Sequence, residues 1–123
     1  MYSRKPEDPS EQLTKRLRTL YSSIHQWKNA DGAQPIGVFL EKPSRKDYPD
    51  YYDIISDPIS MNEIDDKIRD GRYRTEEEFI GDCKLMFDNC RIFNEEGSLI
   101  VQDADALEAI LLEEAKKMGV GSD

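Results

Sequence analysis

Several residue types and patterns are scarce in this chain of 123 residues, and each scarcity narrows the class of protein. The single histidine, His25, lies far in sequence from Cys83 and Cys90, so the chain lacks the ligand set of a metal site. No long apolar run is present, and no apolar segment follows the N-terminal charges, so we expect neither a membrane span nor a signal peptide. Without a glycine-rich phosphate loop or a base beside a nucleophile, we expect no enzyme and no cofactor.

Basic residues are also in the minority. The chain has 17 Lys and Arg against 26 Asp and Glu, which gives a formal net charge of −9. A domain with this charge repels a phosphate backbone, so direct binding of nucleic acid is disfavoured. A basic protein or peptide is the kind of partner that the charge favours.

The two cysteines are predicted to be small core residues. Cys83 and Cys90 are seven residues apart in a helical pattern, which places them on one face with roughly 10 Å of rise between them. That separation is too large for a disulfide. Two buried thiols fit a reducing compartment such as the cytosol or nucleus.

Apolar periodicity predicts helices and no strand. The first helix is expected from Ser10, as its N-cap, to Lys28, because apolar residues recur there at steps of three and four. A short helix is expected to begin at Ser60 or Asn62 and to end at Asp70. Its apolar side consists of Met61, Ile64 and Ile68.

Two further long helices follow. Thr75 with Glu78 predicts a capping box at the start of the third helix. Its broad apolar face indicates a central position and consists of Phe79, Ile80, Cys83, Met86, Phe87, Cys90 and Phe93. Ser98 is the predicted cap of the last helix. The inner face of that helix is expected to contain Ile100 or Val101, followed by Ala104, Leu107, Leu111 and Met118.

The segment between the first two helices is unusually long. Residues 32–59 contain four prolines and no sustained periodicity, which is more connection than a compact bundle needs. Its aromatic residues indicate that the loop packs on itself and lines a site, with one short helical turn at 51–55; they are Phe39, Tyr48, Tyr51 and Tyr52. The predicted fold is an all-α antiparallel bundle over residues 10–118, with flexible tails at 1–9 and 119–123.

Two motifs resemble those of bromodomains. The run at 48–61, YPDYYDIISDPISM, is similar to the family pattern P-D-Y-Y-x-I-I-x-x-P-[MI]-[DS]-[ML]. The run at 86–98, MFDNCRIFNEEGS, is similar to M-F-x-N-[CA]-x-x-[YF]-N-x-x-x-S. The resemblance covers about residues 13–117. The loop at 42–50 and the turn at 94–98 are most similar to polybromo-type bromodomains of SWI/SNF-type chromatin remodellers.

The resemblance implies a left-handed four-helix bundle whose first and last inter-helix loops form a pocket for acetylated lysine. By position in the motifs, Asn94 corresponds to the anchor, Tyr51 to the water-linked tyrosine and Ile100 to the residue at the pocket mouth. The candidate walls and supports are Phe39, Ile54, Phe93, Tyr52 and Ile100. The implied partners are acetylated histone tails and subunits of a chromatin-remodelling complex, and the implied location is the nucleus.

The sequence also allows other roles for these residues and for the module. Asn94 can be a helix-ending residue with a left-handed backbone. Phe93 and Ile100 can belong to the core as well as to the pocket. The module can also be a protein–protein interaction domain that does not read acetyl marks. The Trp-Pro-Phe shelf of many bromodomains is Gly37-Val38-Phe39 here, so a less bulky shelf is expected.

Overall fold

The computed structural model describes residues 6–121, and all elements lie within that range. They are, in order, α1 (Pro9–His25), a 3-10 helix (Pro35–Phe39), α2 (Pro49–Ile54), α3 (Met61–Arg69), α4 (Glu76–Phe93) and α5 (Leu99–Lys117). No strand occurs among the described residues, so the prediction of an all-α fold is confirmed. Most of the predicted N-terminal tail, residues 1–5, and residues 122–123 lie outside the described residues.

Four helices form the bundle. Helix α5 packs against α1 and α4, and α3 packs against the same two helices. The core between them is continuous, and its fully buried side chains include Leu20, Ile24, Met61, Ile64, Phe79, Phe87, Leu107 and Leu111. Of the two alternatives for the start of the inner face of α5, Val101 is buried, whereas Ile100 is only partly buried. Among residues 6–121, no helix combines the length and apolarity needed to cross a bilayer.

The helix N-termini differ from the predictions in detail. Asp8 caps α1 by accepting a hydrogen bond from Glu11 N, so the predicted cap at Ser10 is wrong. Ser60 and Glu63 form a complete capping box on α3. At α4 only half of the predicted box forms: Thr75 accepts from Glu78 N, while the carboxylate of Glu78 accepts from Arg74 N.

The start of α5 also departs from its prediction. Ser98 occupies the N-cap position, but its side chain makes no capping hydrogen bond, and its Oγ is buried without a partner among the described residues. The first helix ends at His25, three residues before the predicted Lys28. A turn held by the side chain of Asn29, which accepts from Asp31 N and Ala33 N, redirects the chain soon after it.

Glycines end two of the helices. Gly71 and Gly119 have φ of 68° and 76°, a conformation that glycine adopts without steric cost. After Gly119 the chain folds back, and Val120 N donates to Ala115 O at 2.9 Å, as in a Schellman motif. Val120 is 7% exposed and packs against the core. This motif therefore anchors Val120 within the segment 119–123 that was expected to be a flexible tail.

The long connection between α1 and α3 is structured, as predicted. Ile36 and Phe39 anchor it in the core. Leu40 O accepts from Asn62 N at 3.1 Å, and Asn89 Nδ2 of α4 donates to Asp57 O at 2.9 Å. Because these bonds hold the connection to α3 and α4, its middle part is fixed at the end of the bundle where α4 turns into α5.

Candidate functional site

A cavity of about 390 Å³ opens at this end of the bundle. It lies between the long connection and the turn that joins α4 to α5. The lining residues are Val38, Phe39, Glu41, Lys42, Pro43, Tyr48, Tyr51, Ile59, Met86, Cys90, Phe93, Asn94 and Ile100. Apart from the tyrosine hydroxyls, its polar side chains are Glu41, Lys42 and Asn94, and the first two are exposed. The cavity is therefore an apolar slot with one half-buried amide.

The orientation of Asn94 is set by the last turn of α4. Its backbone is extended (φ −107°, ψ 159°), so the left-handed helix-ending alternative is wrong. Its Nδ2 donates to Cys90 O at 3.0 Å and lies 3.7 Å from Cys90 Sγ. An amide nitrogen carries two hydrogens, and sulfur is a weak acceptor. One N–H can thus turn to a stronger acceptor in the cavity while the other remains bonded to the helix.

Cys90 is a lining residue that the sequence-based site prediction missed. It is 6% exposed, and its Sγ lies 3.7 Å from Ile100 O, which joins the last turn of α4 to the first turn of α5. Burial is the main reason that the pKa of this thiol is raised, so the sulfur is an uncharged part of the wall. Cys90 precedes Asn94 by four residues, which is about one helical turn. This spacing is the sequence signal that both side chains lie on the same face of α4. Cys83 and Cys90 are both free thiols, as predicted.

Aromatic rings form one side of the cavity. Tyr51 is 7% exposed, and its ring meets Phe93 edge to face with 4.9 Å between centroids. Tyr48 meets the same phenylalanine at 6.5 Å. Burial is the main cause that raises the pKa of Tyr51, so its hydroxyl stays protonated at neutral pH. That hydroxyl has no hydrogen-bond partner within residues 6–121 and can bind a water molecule or a ligand.

Another part of the cavity wall, at Phe39, is joined directly to the core. Phe39 is 7% exposed, and its ring contacts that of Phe87 edge to face at 5.5 Å. Phe87 is fully buried among the bundle helices. The position of this wall therefore depends on packing in the core of the bundle.

Two predicted site residues do not line the cavity. The hydroxyl of Tyr52 donates to Pro43 O, and the guanidinium of Arg45 lies 4.0 Å from the centre of its ring. Tyr52 thus supports the loop that carries Pro43. Ile54 is the last residue of α2, is 53% exposed and is not among the residues that line the cavity. The structure brings together Asn94, Tyr51, Phe39, Phe93 and Ile100.

A second cavity differs in character. It measures about 380 Å³ and lies between α3, α4 and the segment before α3. Its charged lining includes Asp57, Lys67 and Asp82, of which Lys67 and Asp82 form an ion pair. Tyr73 donates to the same aspartate. Lys67, Tyr73 and Asp82 satisfy one another, so this part of the groove has the character of a structural ion-pair network.

Comparison with known proteins gives one family. The bromodomain family model matches residues 17–106. Chromatin structure-remodeling complex subunit rsc4 of Schizosaccharomyces pombe is 32% identical over 103 residues, which are 84% of this chain and 19% of that protein. SWI/SNF chromatin-remodeling complex subunit snf22 of the same organism is 36% identical over 108 residues, 88% of this chain and 6% of that protein. The chain thus spans less than a fifth of the length of either relative.

A solved structure extends the comparison to the fold. The bromodomain from human BAZ1A superimposes with a TM-score of 0.77 at 30% identity, over 88% of this chain and 99% of that one. The family fold is a left-handed four-helix bundle, as the resemblance implied, and it is not an enzyme fold. The match of family model, relatives and fold leads to one conclusion: the chain belongs to the bromodomain family.

Proposed function

We propose that the cavity binds the side chain of acetylated lysine and that the chain is a reader of acetylated histone tails. The observation that carries the proposal is the half-buried amide of Asn94 in an otherwise apolar slot, fixed by one N–H to Cys90 O. Acetyl-lysine has a carbonyl acceptor, a methyl group and an apolar stem, which are the chemical counterparts of that slot. In this proposal Asn94 donates to the acetyl carbonyl, and Tyr51 holds a water molecule beside it.

Desolvation provides the discrimination against unmodified lysine. An ammonium group inside the slot would lose its hydration without a buried carboxylate to pair with, because Glu41, the one carboxylate among the lining residues, is exposed. The cost is several kcal/mol. Acetylation removes that charge and adds the acceptor that Asn94 needs. Tyr51, Phe93, Phe39 and Ile100 then enclose the stem and the methyl group.

The wider assignment rests on the relatives. Two of them are named as subunits of chromatin-remodelling complexes, so we place the chain in such a complex and in the nucleus. The net charge of −9 favours a basic histone tail as the partner. A single module of this kind binds its peptide weakly. Further recognition modules in the same complex would raise the overall affinity for chromatin, because linked modules bind together.

The test is a calorimetric titration of the chain with a panel of histone-tail peptides, each in acetylated and unacetylated form. We expect at least one acetylated peptide to bind and its unacetylated form to bind at least tenfold more weakly, since one charge is left unsolvated. Equal binding of both forms would favour an interaction module that does not read acetyl marks. Absence of binding by the entire panel would contradict the assignment to histone tails.

A further inference from the structure

Most of the exposed apolar residues described in this domain lie at the end of the bundle that holds the cavity. Among the described residues, six large hydrophobic side chains are exposed. Five of them lie at the end that holds the cavity and one, Leu112, lies on the side of α5; the five are Val38, Tyr48, Ile54, Ile92 and Leu99. Val38 and Tyr48 line the cavity itself. An apolar surface continuous with a binding slot is a feature of an interaction site.

The charges at this end are unevenly distributed. Segments 38–54 and 92–100 carry six carboxylates and three bases, a net charge of −3. None of the six carboxylates makes an ion pair within residues 6–121. Of the bases, Lys42 pairs with Glu63 at 3.3 Å and Arg45 is stacked on Tyr52. The turn beside Asn94 carries two exposed carboxylates, Glu95 and Glu96, and no base.

The mouth of the cavity is therefore bordered by two groups of residues that differ chemically. We call these two groups together the rim. One side consists of Glu95, Glu96 and the 78%-exposed Leu99, next to Asn94. The other consists of Val38, which is 61% exposed, and Tyr48, which is 53% exposed. A peptide whose modified lysine fills the slot must pass over both sides.

We infer that the rim selects the residues that flank the modified lysine: a cationic side chain on the Glu95–Glu96 side and an aliphatic one on the Val38–Tyr48 side. The inference rests on the proposed function and adds the sequence context of the ligand. Carboxylates that lack an internal partner are free to pair with a ligand cation. The exposed Val38 and Tyr48 lose contact with water when an aliphatic side chain covers them.

The test compares synthetic peptides in titrations with the whole chain at low ionic strength. Each has one acetyl-lysine. The reference has glycine and serine on both sides, and it is also titrated in its unacetylated form. Two other peptides have arginine before and leucine after the acetyl-lysine, or the reverse. We expect one of the two orders to bind about fivefold more tightly than the reference, and the other order to gain less. The favoured order also reports the direction of the peptide.

Matched variants separate the two sides of the rim. Glu95→Gln with Glu96→Gln is expected to remove the gain from arginine, while the reference peptide binds within about twofold of wild type. Val38→Ser is expected to remove the gain from leucine; because Val38 also lines the cavity, this gain is taken relative to the affinity of the same variant for the reference peptide. The controls are Glu77→Gln with Glu113→Gln, which remove equal charge from exposed sites elsewhere, and Leu112→Ser on α5. These controls are expected to leave all three affinities unchanged.

Each of the other possible results contradicts a different part of the inference. If both orders bind like the reference, or equally more tightly than it, the two-sided rim is wrong although acetyl-lysine binding stands. If the Glu77/Glu113 control variant lowers the affinity for the arginine peptides as much as the Glu95/Glu96 variant does, the gain from arginine comes only from the net charge of the domain. If even the reference binds regardless of acetylation, the proposed function fails and the rim inference fails with it.

Discussion

Replacement of Asn94 by alanine is expected to remove almost all affinity for an acetylated peptide. The variant loses one hydrogen bond worth ~1 kcal/mol and leaves the acetyl carbonyl without a donor at a cost of ~1–3 kcal/mol. Together these changes weaken binding by roughly 30- to 700-fold in Kd. Calorimetry of wild type and variant with the same acetylated peptide measures the difference.

The fold is expected to survive this change. Asn94 ends α4, and its backbone N–H to Cys90 O is unaffected by loss of the side chain. Gln102→Ala is a matched control, because its side-chain amide also donates to a backbone carbonyl, Gly97 O, but lies outside the cavity. An Asn94→Ala variant that is folded by circular dichroism and still binds within threefold of the Gln102→Ala control would show that Asn94 is not the anchor.

Replacement of Phe87 by alanine is expected to cause a large loss of stability. Phe87 is fully buried, and truncation of such a side chain typically lowers the free energy of unfolding by about 3–5 kcal/mol. Phe39 loses its edge-to-face partner at the same time, so we also expect weaker binding of acetyl-lysine by the folded fraction. Urea denaturation followed by circular dichroism measures the loss in unfolding free energy.

Two further variants control this measurement. Phe87→Leu retains much of the volume and is expected to cost less than the alanine variant, which keeps the test informative if the latter does not fold. Ile92→Ala, at a side chain that is 63% exposed, is expected to change the free energy of unfolding by no more than about 0.5 kcal/mol. Equal losses for Phe87→Ala and Ile92→Ala would contradict the central position of Phe87.

The helices were predictable because their signals are local. Apolar spacing located α3 and α4, and Ser60 with Glu63 forms the capping box that such a pair suggests. Small errors arose where two side chains compete for the same role. Asp8 caps α1 two residues before the serine that was expected to do so. Glu78 reaches Arg74 N and so leaves the box at Thr75 incomplete.

The cavity was predictable only in part, because its walls depend on contacts between distant segments. Five of the seven predicted residues line it, since the motifs identify the turn after α4 and the start of α2. The face of α2 that turns inward depends on the contact of Tyr51 with Phe93, which local spacing does not encode. The same contact leaves Ile54 in solvent. Cys90 was predicted as a core residue and not as part of the cavity wall, because burial alone does not reveal an adjacent slot.

The most direct test of acetyl-lysine binding in this cavity is to locate the ligand by nuclear magnetic resonance. The isotope-labelled chain is titrated with an acetylated peptide that binds, and shifts of backbone and side-chain amide signals are followed. We predict that the side-chain NH2 of Asn94 and the backbone amides of Tyr51, Val38 and Ile100 shift most, because these residues line the cavity. Shifts that leave Asn94 unchanged and cluster around Asp57, Lys67 and Asp82 would place the ligand in the polar groove and contradict the proposal.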